Sequence, residues 1–427
     1  MSNKGKFQTP KGIHDILPKK QKYYRKVYQV CKKIADYYGF QEIYTPILED
    51  RGVYEKGTGK ETDIVQKEMF ELETKGGEKL ALRPEGTPGI VRSYIENGMS
   101  NWQTPVKLWY FGPFFRYEKP QAGRYRQFWQ FGFEIIGQDD AAVDAELIQI
   151  FYNILRELKL EDISIKVNSI GDEECRPEYL EELKKYFKDN KKNLCKDCQK
   201  RLKKNVLRIL DCKNKKCNKV KEDAPQIIDN LCDDCHDHFK TMLEFLDTTD
   251  IPYELDSYLV RGLDYYTRTV FEAFVEDEDE EEGQNALGGG GRYDKLVEIF
   301  GGKDTPAAGM AGGVERIVEK LFDERLTFEE AEEPKVFLAQ IGETAKRETF
   351  KLLEEFRQEG IKVAESLGRN SLRPQLNIAD KMEVDYTLIL GKKEVVEDEI
   401  IIRNMKSGKQ KKVKLSKVVD EIKKNLK

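Results

Sequence analysis

The sequence predicts a multidomain α/β protein, and three observations support this prediction. Residues 111–137 form two runs of alternating apolar residues around a Pro/Gly loop, which predicts an antiparallel β-hairpin. Residues 172–245 are Lys-rich, contain cysteines and follow a helical pattern, which indicates an insertion. Beyond Pro334, apolar strands alternate with helices, which is typical of a small, mostly parallel sheet with helices on its faces.

Periodicity predicts further elements on both sides of the insertion. Apolar residues recur at helical spacing over residues 20–38, and Gly39 ends that helix. The other predicted elements before Pro334 are a proline-broken strand over Ile43–Glu49, a helix over 142–159, a strand over 163–167 and strands over 253–275. After Pro334 they are strands over 336–339, 361–363, 385–391 and 399–403, with helices over 344–358 and 371–381.

The hairpin carries polar residues among its aromatic ones. Arg116 ends the first strand, and Gln130 and Glu134 lie four apart on the second, so they share one face. Such side chains are costly to bury without partners, which makes them candidates for ligand contacts. The alternative is a basic surface hairpin with one internal salt bridge.

Composition indicates a soluble globular protein. The 427 residues suffice for two or three domains, with 39% hydrophobic and 35% charged residues. No run approaches the ~20 apolar residues of a membrane span, and the polar N-terminus lacks a signal-peptide core. Eight cysteines in such a chain favour free thiols or metal ligation over disulfides, so we expect a cytoplasmic location.

Charge is unevenly distributed along the chain, whose formal net charge is −5. Residues 184–221 hold sixteen Lys/Arg against three acidic residues, and residues 403–427 hold ten against two. Such zones can contact phosphates without making the whole surface bind nucleic acid. The alternative is that they only aid solubility. The acidic run 276–282 is most simply a solvated loop between strands.

Four segments together carry a family resemblance. They are the hairpin of residues 111–137, Leu82–Thr87, the Arg-Gly-Leu-Asp-Tyr-Tyr segment within 259–266, and the glycine-rich 308–316. In this order, and with the opening residues 9–18, they resemble the histidyl-tRNA synthetase family, whose members are class II aminoacyl-tRNA synthetases. The resemblance implies a class II catalytic domain over 1–325, with an antiparallel sheet of six or seven strands flanked by helices and the helical insertion at 172–245. It also implies a C-terminal α/β anticodon-binding domain over 334–427.

The activity implied by the resemblance is that of a histidine–tRNA ligase. Such an enzyme uses ATP and Mg²⁺ to convert histidine to histidyl-adenylate, and then transfers the histidyl group to tRNA(His). By resemblance, Arg116 contacts the α-phosphate of ATP and Arg316 contacts the γ-phosphate. Arg261 takes a position near the α-phosphate where other class II enzymes use a metal ion. For Arg316, a salt bridge at the start of a helix is the alternative.

The resemblance also assigns a pocket for the amino acid. The residues that match the ammonium-binding positions are Glu85, Thr87 and Gln130. Glu134 and Tyr266 match the positions that bind the two imidazole nitrogens, and Tyr265 would line the pocket with the glycine-rich residues 288–293. A pocket with partners for both ring nitrogens rejects apolar side chains, because its own polar groups would stay unpaired. Ordinary core packing is the alternative for the two tyrosines.

The partners implied by the resemblance are tRNA(His), histidine, ATP and a second copy of the chain. Gln121, Arg124 and Arg126 match positions that approach the acceptor end of the tRNA. Pro46 matches the dimer-forming motif. In residues 372–381, Arg-Pro stands where two lysines are more usual in the family's anticodon-binding segment.

The cysteines allow a zinc site. Cys195 and Cys198 form one Cys-x-x-Cys pair, and Cys232 and Cys235 form another, with His236 and His238 adjacent to it. Two such pairs can close a tetrahedral zinc site. Cys212 and Cys217 also have ligand-like spacing. The alternative is that the cysteines are small apolar packing residues.

Two other function classes stay open at the level of sequence. One is a non-catalytic paralogue, the regulatory subunit of ATP phosphoribosyltransferase, which usually lacks the segment at 261–266 and the anticodon domain. The other is a synthetase-like module that senses uncharged tRNA within a larger protein, but this chain contains no kinase-like region.

Overall fold

The computed structural model describes residues 7–121, 123–275, 286–324, 326, 328 and 333–426. The predicted acidic loop at 276–282 lies outside these residues. Internal contacts divide the chain into a first unit, Met1–Phe328, and a second unit, Glu329–Lys427. In the described residues, no helix has the length and apolar character needed to cross a bilayer.

The first unit contains most of the secondary structure. Its helices are α1 (Pro18–Tyr38), α2 (Arg51–Gly57), α3 (Thr87–Glu96), α4 (Ala141–Glu157), α5 (Arg176–Asp189), α6 (Lys196–Lys204), α7 (Lys215–Lys221), α8 (Asp233–Thr248), α9 (Leu296–Ile299) and α10 (Val314–Asp323). Its strands are β1 (Gln41–Glu42), β2 (Leu48–Asp50), β3 (Phe70–Glu73), β4 (Lys79–Leu82), β5 (Val106–Phe115), β6 (Gln127–Ile136), β7 (Ile163–Ser169), β8 (Glu254–Leu255), β9 (Thr267–Val275), β10 (Ala286–Arg292) and β11 (Ala307–Gly313).

The main sheet of the described residues has eight strands in the order β1-β5-β6-β11-β10-β9-β7-β8. Every pairing from β5 through β7 is antiparallel, which confirms the predicted type of sheet. The expectation of six or seven strands was too low. The difference lies in β1 and β8, which are two-residue strands added in parallel at the two edges. A smaller antiparallel sheet has the order β2-β4-β3.

Helices cover both faces of the main sheet. Alternate residues of each strand point to opposite faces, and in β5 Trp109 packs against one helical layer whereas Leu108 packs on the other side. The larger core contains residues of α1, α4, α8 and α10, and the smaller core contains residues of α3 and α9. The helices therefore hold the sheet as a rigid floor for a site.

The structure confirms the hairpin and corrects one predicted strand. β5 and β6 pair antiparallel from Val106 with Ile136 to Phe115 with Gln127. The single strand predicted over Ile43–Glu49 was wrong, because β1 and β2 are separate strands in different sheets. Pro46 lies between them and has no N–H to donate to a ladder, so pairing cannot continue through it. The strands predicted over 253–275 are likewise interrupted, since only β8 and β9 form there.

The insertion is helical, as predicted. It contains α5 to α8, with single-turn 3-10 segments at Lys191–Asn193, Val206–Ile209 and Ile227–Asn230. Its own small core includes Tyr179, Leu183 and Phe187 from α5, together with buried cysteines of the following segments. The last helix, α8, packs against α4 and so rejoins the insertion to the main sheet.

The second unit is a five-stranded α/β domain in the part of the chain that is described. Its strands are β12 (Val336–Gln340), β13 (Val363–Glu365), β14 (Tyr386–Leu390), β15 (Glu399–Asn404) and β16 (Gln410–Lys414), and its helices are α11 (Glu343–Gln358), α12 (Leu372–Lys381), α13 (Lys392–Val396) and α14 (Val418–Leu426). The strand order is β13-β12-β14-β15-β16. Only the pairings of β12 are parallel, so the predicted mostly parallel sheet is half antiparallel. β16 and α14 were missed because their many lysines obscure the apolar pattern.

A buried ion cluster joins three elements of the first unit. The Arg292 side chain at the end of β10 is fully buried, and its guanidinium lies 2.8 Å from the carboxylate of Asp144 in α4. The other oxygen of Asp144 lies 2.7 Å from Nε2 of His238 in α8. Burial alone would raise the pKa of Asp144, but Arg292 and His238 outweigh it and hold the pKa below its ordinary value. The cluster therefore fastens the insertion's last helix to the sheet.

We expect Asp144→Asn to destabilise the first unit by up to about 3–5 kcal/mol, because the buried Arg292 loses the nearer of two counter-ions and keeps Asp294 at 3.1 Å. Urea unfolding at pH 7 would measure this loss, with the exposed Asp139→Asn as the control. Folding lowers the pKa of Asp144 below the value of about 3.9 that the unfolded chain has. The stabilisation by Asp144 should therefore be complete above about pH 3.9, and it should disappear as the pH falls through the lowered pKa of the folded protein. Equal stability of the two variants would contradict the prediction.

Candidate active site

A cavity of about 420 Å³ lies over the sheet in the first unit. Its floor is formed by glycine-rich parts of β10 and β11 and by Gln130 of β6. Of the residues predicted to bind histidine or ATP, all but one line this cavity. The residues concerned are Glu85, Thr87, Arg116, Gln130, Arg261, Tyr265, Tyr266 and Arg316. Strands and loops from Glu85 to Arg316, far apart in sequence, therefore meet at one place.

Glu134, the remaining predicted residue, lies beneath the floor. Its side chain is fully buried and accepts hydrogen bonds from Thr87 Oγ1 at 2.7 Å and from Tyr293 Oη at 2.5 Å. Burial raises the pKa of the Glu134 carboxyl to about 8, although the two hydrogen bonds act in the opposite direction. At neutral pH the free protein therefore holds a proton on this carboxyl.

Two glycines provide the space for this arrangement. A Cβ placed at Gly309 would lie 1.7 Å from Oε2 of Glu134, so no other residue fits above the carboxyl. A Cβ at Gly132 would lie 2.3 Å from the hydroxyl of Tyr110, which reaches across β6 from β5. Because these two glycines have no Cβ, the Glu134 carboxyl and the Tyr110 hydroxyl can lie against the backbone of the sheet.

Several polar atoms in the cavity have no partner within the described residues. They are Glu85 Oε1, Tyr110 Oη, Gln130 Oε1 and Arg261 Nε, and all are buried. Buried polar groups are normally hydrogen-bonded, so a set of unpaired ones around a cavity indicates a polar ligand. Two of the four are acceptors, which suits a ligand ammonium group.

The Glu85 carboxylate is fixed by its neighbour. Tyr265 donates a hydrogen bond to Glu85 Oε2 at 2.9 Å, which leaves Oε1 directed to the cavity. Burial raises the pKa of Glu85, and Arg116 opposes this effect. The rings of Tyr265 and Tyr266 lie 4.6 Å apart, so the two tyrosines form one wall.

Arg116, Arg261 and Arg316 also line the cavity. Arg261 pairs with Glu272 of β9, and its guanidinium carbon lies 5.7 Å from the Tyr266 ring centre. Arg116 donates to the carbonyl of Pro84 at 2.9 Å. Arg316, in the first turn of α10, donates to the carbonyl of Ala286, and burial lowers its pKa. Carbonyl partners leave the positive charge of Arg116 and Arg316 available for an anion.

The predicted acceptor-end residues occupy the loop between β5 and β6. Gln121 and Arg124 form a bridge in its turn, and Arg124 also lines the cavity. Arg126 is held differently, since its guanidinium carbon lies 3.7 Å from the Tyr117 ring centre and its Nε donates to the carbonyl of Glu118. Of these two arginines, Arg124 is therefore the more available for contact with an anion.

Residues that the sequence did not indicate also reach the cavity. Among them are Tyr110, Glu118, Glu272 and Arg208. Tyr293, which the resemblance placed in the pocket lining, instead donates to the Glu134 carboxyl beneath the floor. Tyr110 could have been found from its place on the Gln130 face of the hairpin. Arg208 had no local signal, because it belongs to the insertion and reaches the cavity only through the fold. Its guanidinium bonds Asp63 at 2.7 Å, and Lys204 nearby bonds Glu61 at 2.7 Å.

The predicted grouping of cysteines was wrong. Cys195 and Cys198 group with Cys212 and Cys217, with their sulfurs all within 4.8 Å of one another. Cys232 and Cys235 belong to a second group, with Cys175 and the carboxylate of Asp172. The reason is that the start of α6 lies against α7, where the N–H of Cys195 donates to the sulfur of Cys217 at 3.2 Å, whereas Cys232 and Cys235 at the start of α8 meet Asp172 and Cys175.

In the second unit, Gln375 of α12 is structural. It is fully buried, donates to the carbonyl of Gln340 at 2.7 Å and accepts from its N–H at 3.0 Å. The exposed residues of this helix are Arg373, Asn377, Asp380 and Lys381. A nucleic-acid contact by α12 would therefore involve these residues and not Gln375.

The antiparallel sheet, the glycine-rich floor and the arginines around the cavity are those of a class II aminoacyl-tRNA synthetase. A family profile described as "Histidyl-tRNA synthetase" matches residues 12–317, and one described as "Anticodon binding domain" matches residues 335–425. The chain belongs to the histidyl-tRNA synthetase family.

Curated relatives match over nearly their full length. A histidine–tRNA ligase of Dehalococcoides mccartyi strain 195 is 44% identical over 98% of this chain and 100% of its own. One of Desulforamulus reducens is 41% identical over 96% of this chain and 97% of its own. The crystal structure of apo histidyl-tRNA synthetase from S. aureus matches with a TM-score of 0.81 and 33% identity, over 97% of this chain and 99% of that one.

The raised pKa of Glu134 predicts a pH effect on stability. Because the folded protein keeps the proton up to about pH 8 and the unfolded chain releases it near 4.5, the free energy of unfolding should fall as pH rises between these values. The loss by pH 7 is about 3 kcal/mol. Glu134→Gln, which stays neutral, should remove this component. Urea unfolding of both proteins from pH 4 to 8 would measure it, and parallel curves would contradict the prediction.

Proposed function

We propose that the chain is a histidine–tRNA ligase, which activates histidine with ATP and transfers it to tRNA(His). The observation that carries the proposal is the set of unpaired buried polar atoms around the cavity, with Glu134 below and three arginines at its edge. Acceptors at one end and cations at the other suit an amino acid whose carboxylate must meet a triphosphate.

Histidine would be held at both ends. Its ammonium would bind Glu85 Oε1 and Gln130 Oε1, which are the unpaired acceptors, with the hydroxyl of Thr87 beside them. Its imidazole would lie toward Tyr266 and the Glu134 carboxyl. A protonated Glu134 can donate a hydrogen bond to one ring nitrogen, and an ionised Glu134 can accept one from a ring N–H. With a pKa of about 8, the carboxyl can take either protonation state near neutral pH.

The arginines would serve the activation step. A carboxylate oxygen of histidine forms a bond to the α-phosphorus of ATP, and the bond from that phosphorus to the bridging oxygen of pyrophosphate breaks. Negative charge grows on the α-phosphate oxygens and on the leaving group. Arg116 and Arg261 would stabilise the first of these charges, and Arg316 would hold the γ-phosphate. Fixed guanidinium groups do this without reorganisation during the reaction.

Magnesium would arrive with the nucleotide. In the described residues the cavity contains no cluster of three or more metal-binding side chains. This fits Mg²⁺, which proteins usually hold through one or two carboxylates and the substrate phosphates. Several carboxylates line the cavity, among them Glu68, Glu118 and Glu272, and one or two of them would hold the ion together with the phosphates. When bound, the ion would neutralise part of the triphosphate charge.

Transfer requires the tRNA at the same cavity. We assign Arg124 and Gln121 to the acceptor end, and the second unit to the anticodon. The regulatory-subunit alternative gains no support, because the Arg261 segment lines the cavity and the second unit matches the anticodon-binding profile. A chain that supplies charged tRNA to ribosomes would work in the cytoplasm.

A homodimer would form through the region around Pro46. Exposed apolar side chains cluster in sequence there, with Tyr44 66% exposed, Leu48 44% exposed, and Leu72 of the neighbouring small sheet 46% exposed. Leu48 and Leu72 lie on the small sheet and Tyr44 precedes it, and exposed apolar side chains of this size favour coverage by another protein surface.

The first functional prediction concerns substrate choice. In ATP–pyrophosphate exchange, only histidine among the twenty amino acids should give a rate above background. Glu134→Ala should then reduce kcat/KM for histidine by a factor that corresponds to roughly 1–3 kcal/mol or more, because one imidazole nitrogen loses its hydrogen-bond partner. Exchange of equal rate with another amino acid would overturn the assignment, and an unchanged rate in Glu134→Ala would remove that residue from the pocket.

The second concerns the step at which Arg261 acts. Arg261→Ala should lose pyrophosphate exchange by roughly 10²-fold or more, as for other groups that stabilise transition-state charge. Histidine binding and transfer from preformed histidyl-adenylate should change much less. Arg268→Ala is the matched control, because Arg268 pairs with Asp172 and lines a different cavity. Normal exchange in Arg261→Ala would exclude an electrostatic role for it.

The third concerns assembly. Sedimentation of the purified chain should give the mass of two copies, and the double variant Leu48→Asp, Leu72→Asp should shift it toward one. Val396→Asp, at a 79% exposed position in the second unit, is the control. A wild-type chain that sediments as a monomer, or a double variant that stays dimeric, would contradict this interface.

A further inference from the structure

Four cysteines of the insertion converge on one point outside the candidate active site. Cys195 and Cys198 flank the start of α6, Cys212 follows the 3-10 segment Val206–Ile209, and Cys217 lies in α7. Their four sulfurs all lie within 4.8 Å of one another. Three of the side chains are buried and Cys195 is partly exposed, which leaves one side open to solvent.

The distances suit a metal and not a disulfide. The sulfurs of Cys195 and Cys212 are 3.9 Å apart. Four thiolates around Zn²⁺ at about 2.3 Å lie roughly 3.8 Å from one another in a tetrahedron. A disulfide needs sulfurs about 2.05 Å apart, and all eight cysteines are free.

Backbone groups and nearby lysines favour thiolates at this point. The N–H of Cys195 donates to the sulfur of Cys217 at 3.2 Å, and the N–H of Cys198 donates to the sulfur of Cys195 at 3.5 Å. Four thiolates and Zn²⁺ carry a net charge of −2. The surrounding segment, residues 184–221, holds sixteen Lys/Arg against three acidic residues, which offsets that charge.

Apolar packing alone accounts poorly for these cysteines. In α6 the buried side chains are Cys198 and Leu202, and in α7 they are Cys217 and Val220. Each of these helices contributes one buried aliphatic side chain, and the rest of the core that they join comes from α5 and the 3-10 segments. Small units of this kind usually gain stability from a metal or a cross-link.

We propose that Cys195, Cys198, Cys212 and Cys217 bind one Zn²⁺ ion as a tetrahedral structural site. The site closes the segment between Cys198 and Cys212, which carries Arg208 to the rim of the active-site cavity. Arg201 supports the same segment, since it donates to the carbonyl of Arg208 at 2.9 Å. The metal therefore holds in place one wall of the cavity that the main sheet does not supply.

The second group of potential ligands provides a control. Its carboxylate, Asp172, already accepts from the N–H of Glu174 at 3.0 Å and pairs with Arg268 at 3.4 Å. Cys232→Ser changes this group and leaves the four-cysteine group intact.

Elemental analysis tests the site directly. Full-length protein would be purified under reducing conditions, loaded with zinc and dialysed. Cys212→Ser and Cys217→Ser should each contain one zinc per chain less than the wild type, whereas Cys232→Ser should keep that zinc. Wild-type protein without zinc, or equal zinc in Cys212→Ser and the wild type, would overturn the proposal.

Cobalt provides a readout that does not require the Cys212→Ser and Cys217→Ser variants to fold. In the Cys232→Ser chain, where the second group is disabled, bound Co²⁺ should give intense sulfur-to-metal charge-transfer absorption and strong tetrahedral bands. The proposal would be overturned if the bound cobalt showed nothing beyond the weak absorption that is typical of oxygen ligands.

Hydrogen exchange tests the consequence for Arg208. Removal of zinc by a chelator should speed amide exchange in residues 199–211 by at least tenfold, while β12 in the second unit should keep its rate. Unchanged exchange in 199–211 after the zinc is gone would show that the metal does not hold this segment, and would overturn that part of the inference.

Discussion

The site depends on the close approach of polar side chains to a backbone that has no Cβ atoms in the way. Gly309 leaves room for the Glu134 carboxyl, and Gly132 leaves room for the Tyr110 hydroxyl. Each glycine is flanked by strands that pack apolar residues on the opposite face of the sheet. The helices on that face keep the sheet rigid, so a carboxyl can be buried without collapse of the floor around it.

The cations of the cavity are held before any ligand arrives. Arg116 and Arg316 donate to backbone carbonyls, and Arg261 pairs with Glu272. A carbonyl fixes the direction of a guanidinium group without neutralising it, whereas a carboxylate neutralises much of its charge. Arg261 must therefore share its charge between Glu272 and a bound phosphate, and Arg116 lies 3.9 Å from Glu118, whereas the partner of Arg316 is the carbonyl of Ala286. Preorganised charges of this kind lower the free energy of the transition state without a matching cost of rearrangement.

Local patterns predicted the elements and motifs that lie close together in sequence. The hairpin of β5 and β6, the helix α1 that ends at Gly39 and the helical insertion all follow from periodicity and turn residues. The resemblance supplied the set of residues that line the cavity, including Arg261 and Tyr266. Long-range pairing was harder to predict. The sequence could not show that Arg208 reaches Asp63, or that Cys195 shares its neighbours with Cys217 and not with Cys235, because these contacts depend on how helices fold against each other.

The contacts of the insertion have a thermodynamic consequence. Arg208 and Lys204 bond Asp63 and Glu61, and Asn205 bonds Asp264 at 3.1 Å, so the insertion and two loops beside the cavity share three polar links. Suppose that a ligand binds the insertion more tightly when these three contacts are formed than when they are broken. Its binding then changes the affinity of the cavity for the cavity's own ligand. By linkage, occupation of the cavity then changes the affinity at the insertion by the same factor. The strength of any such coupling is limited by the free energy of three partly exposed polar contacts.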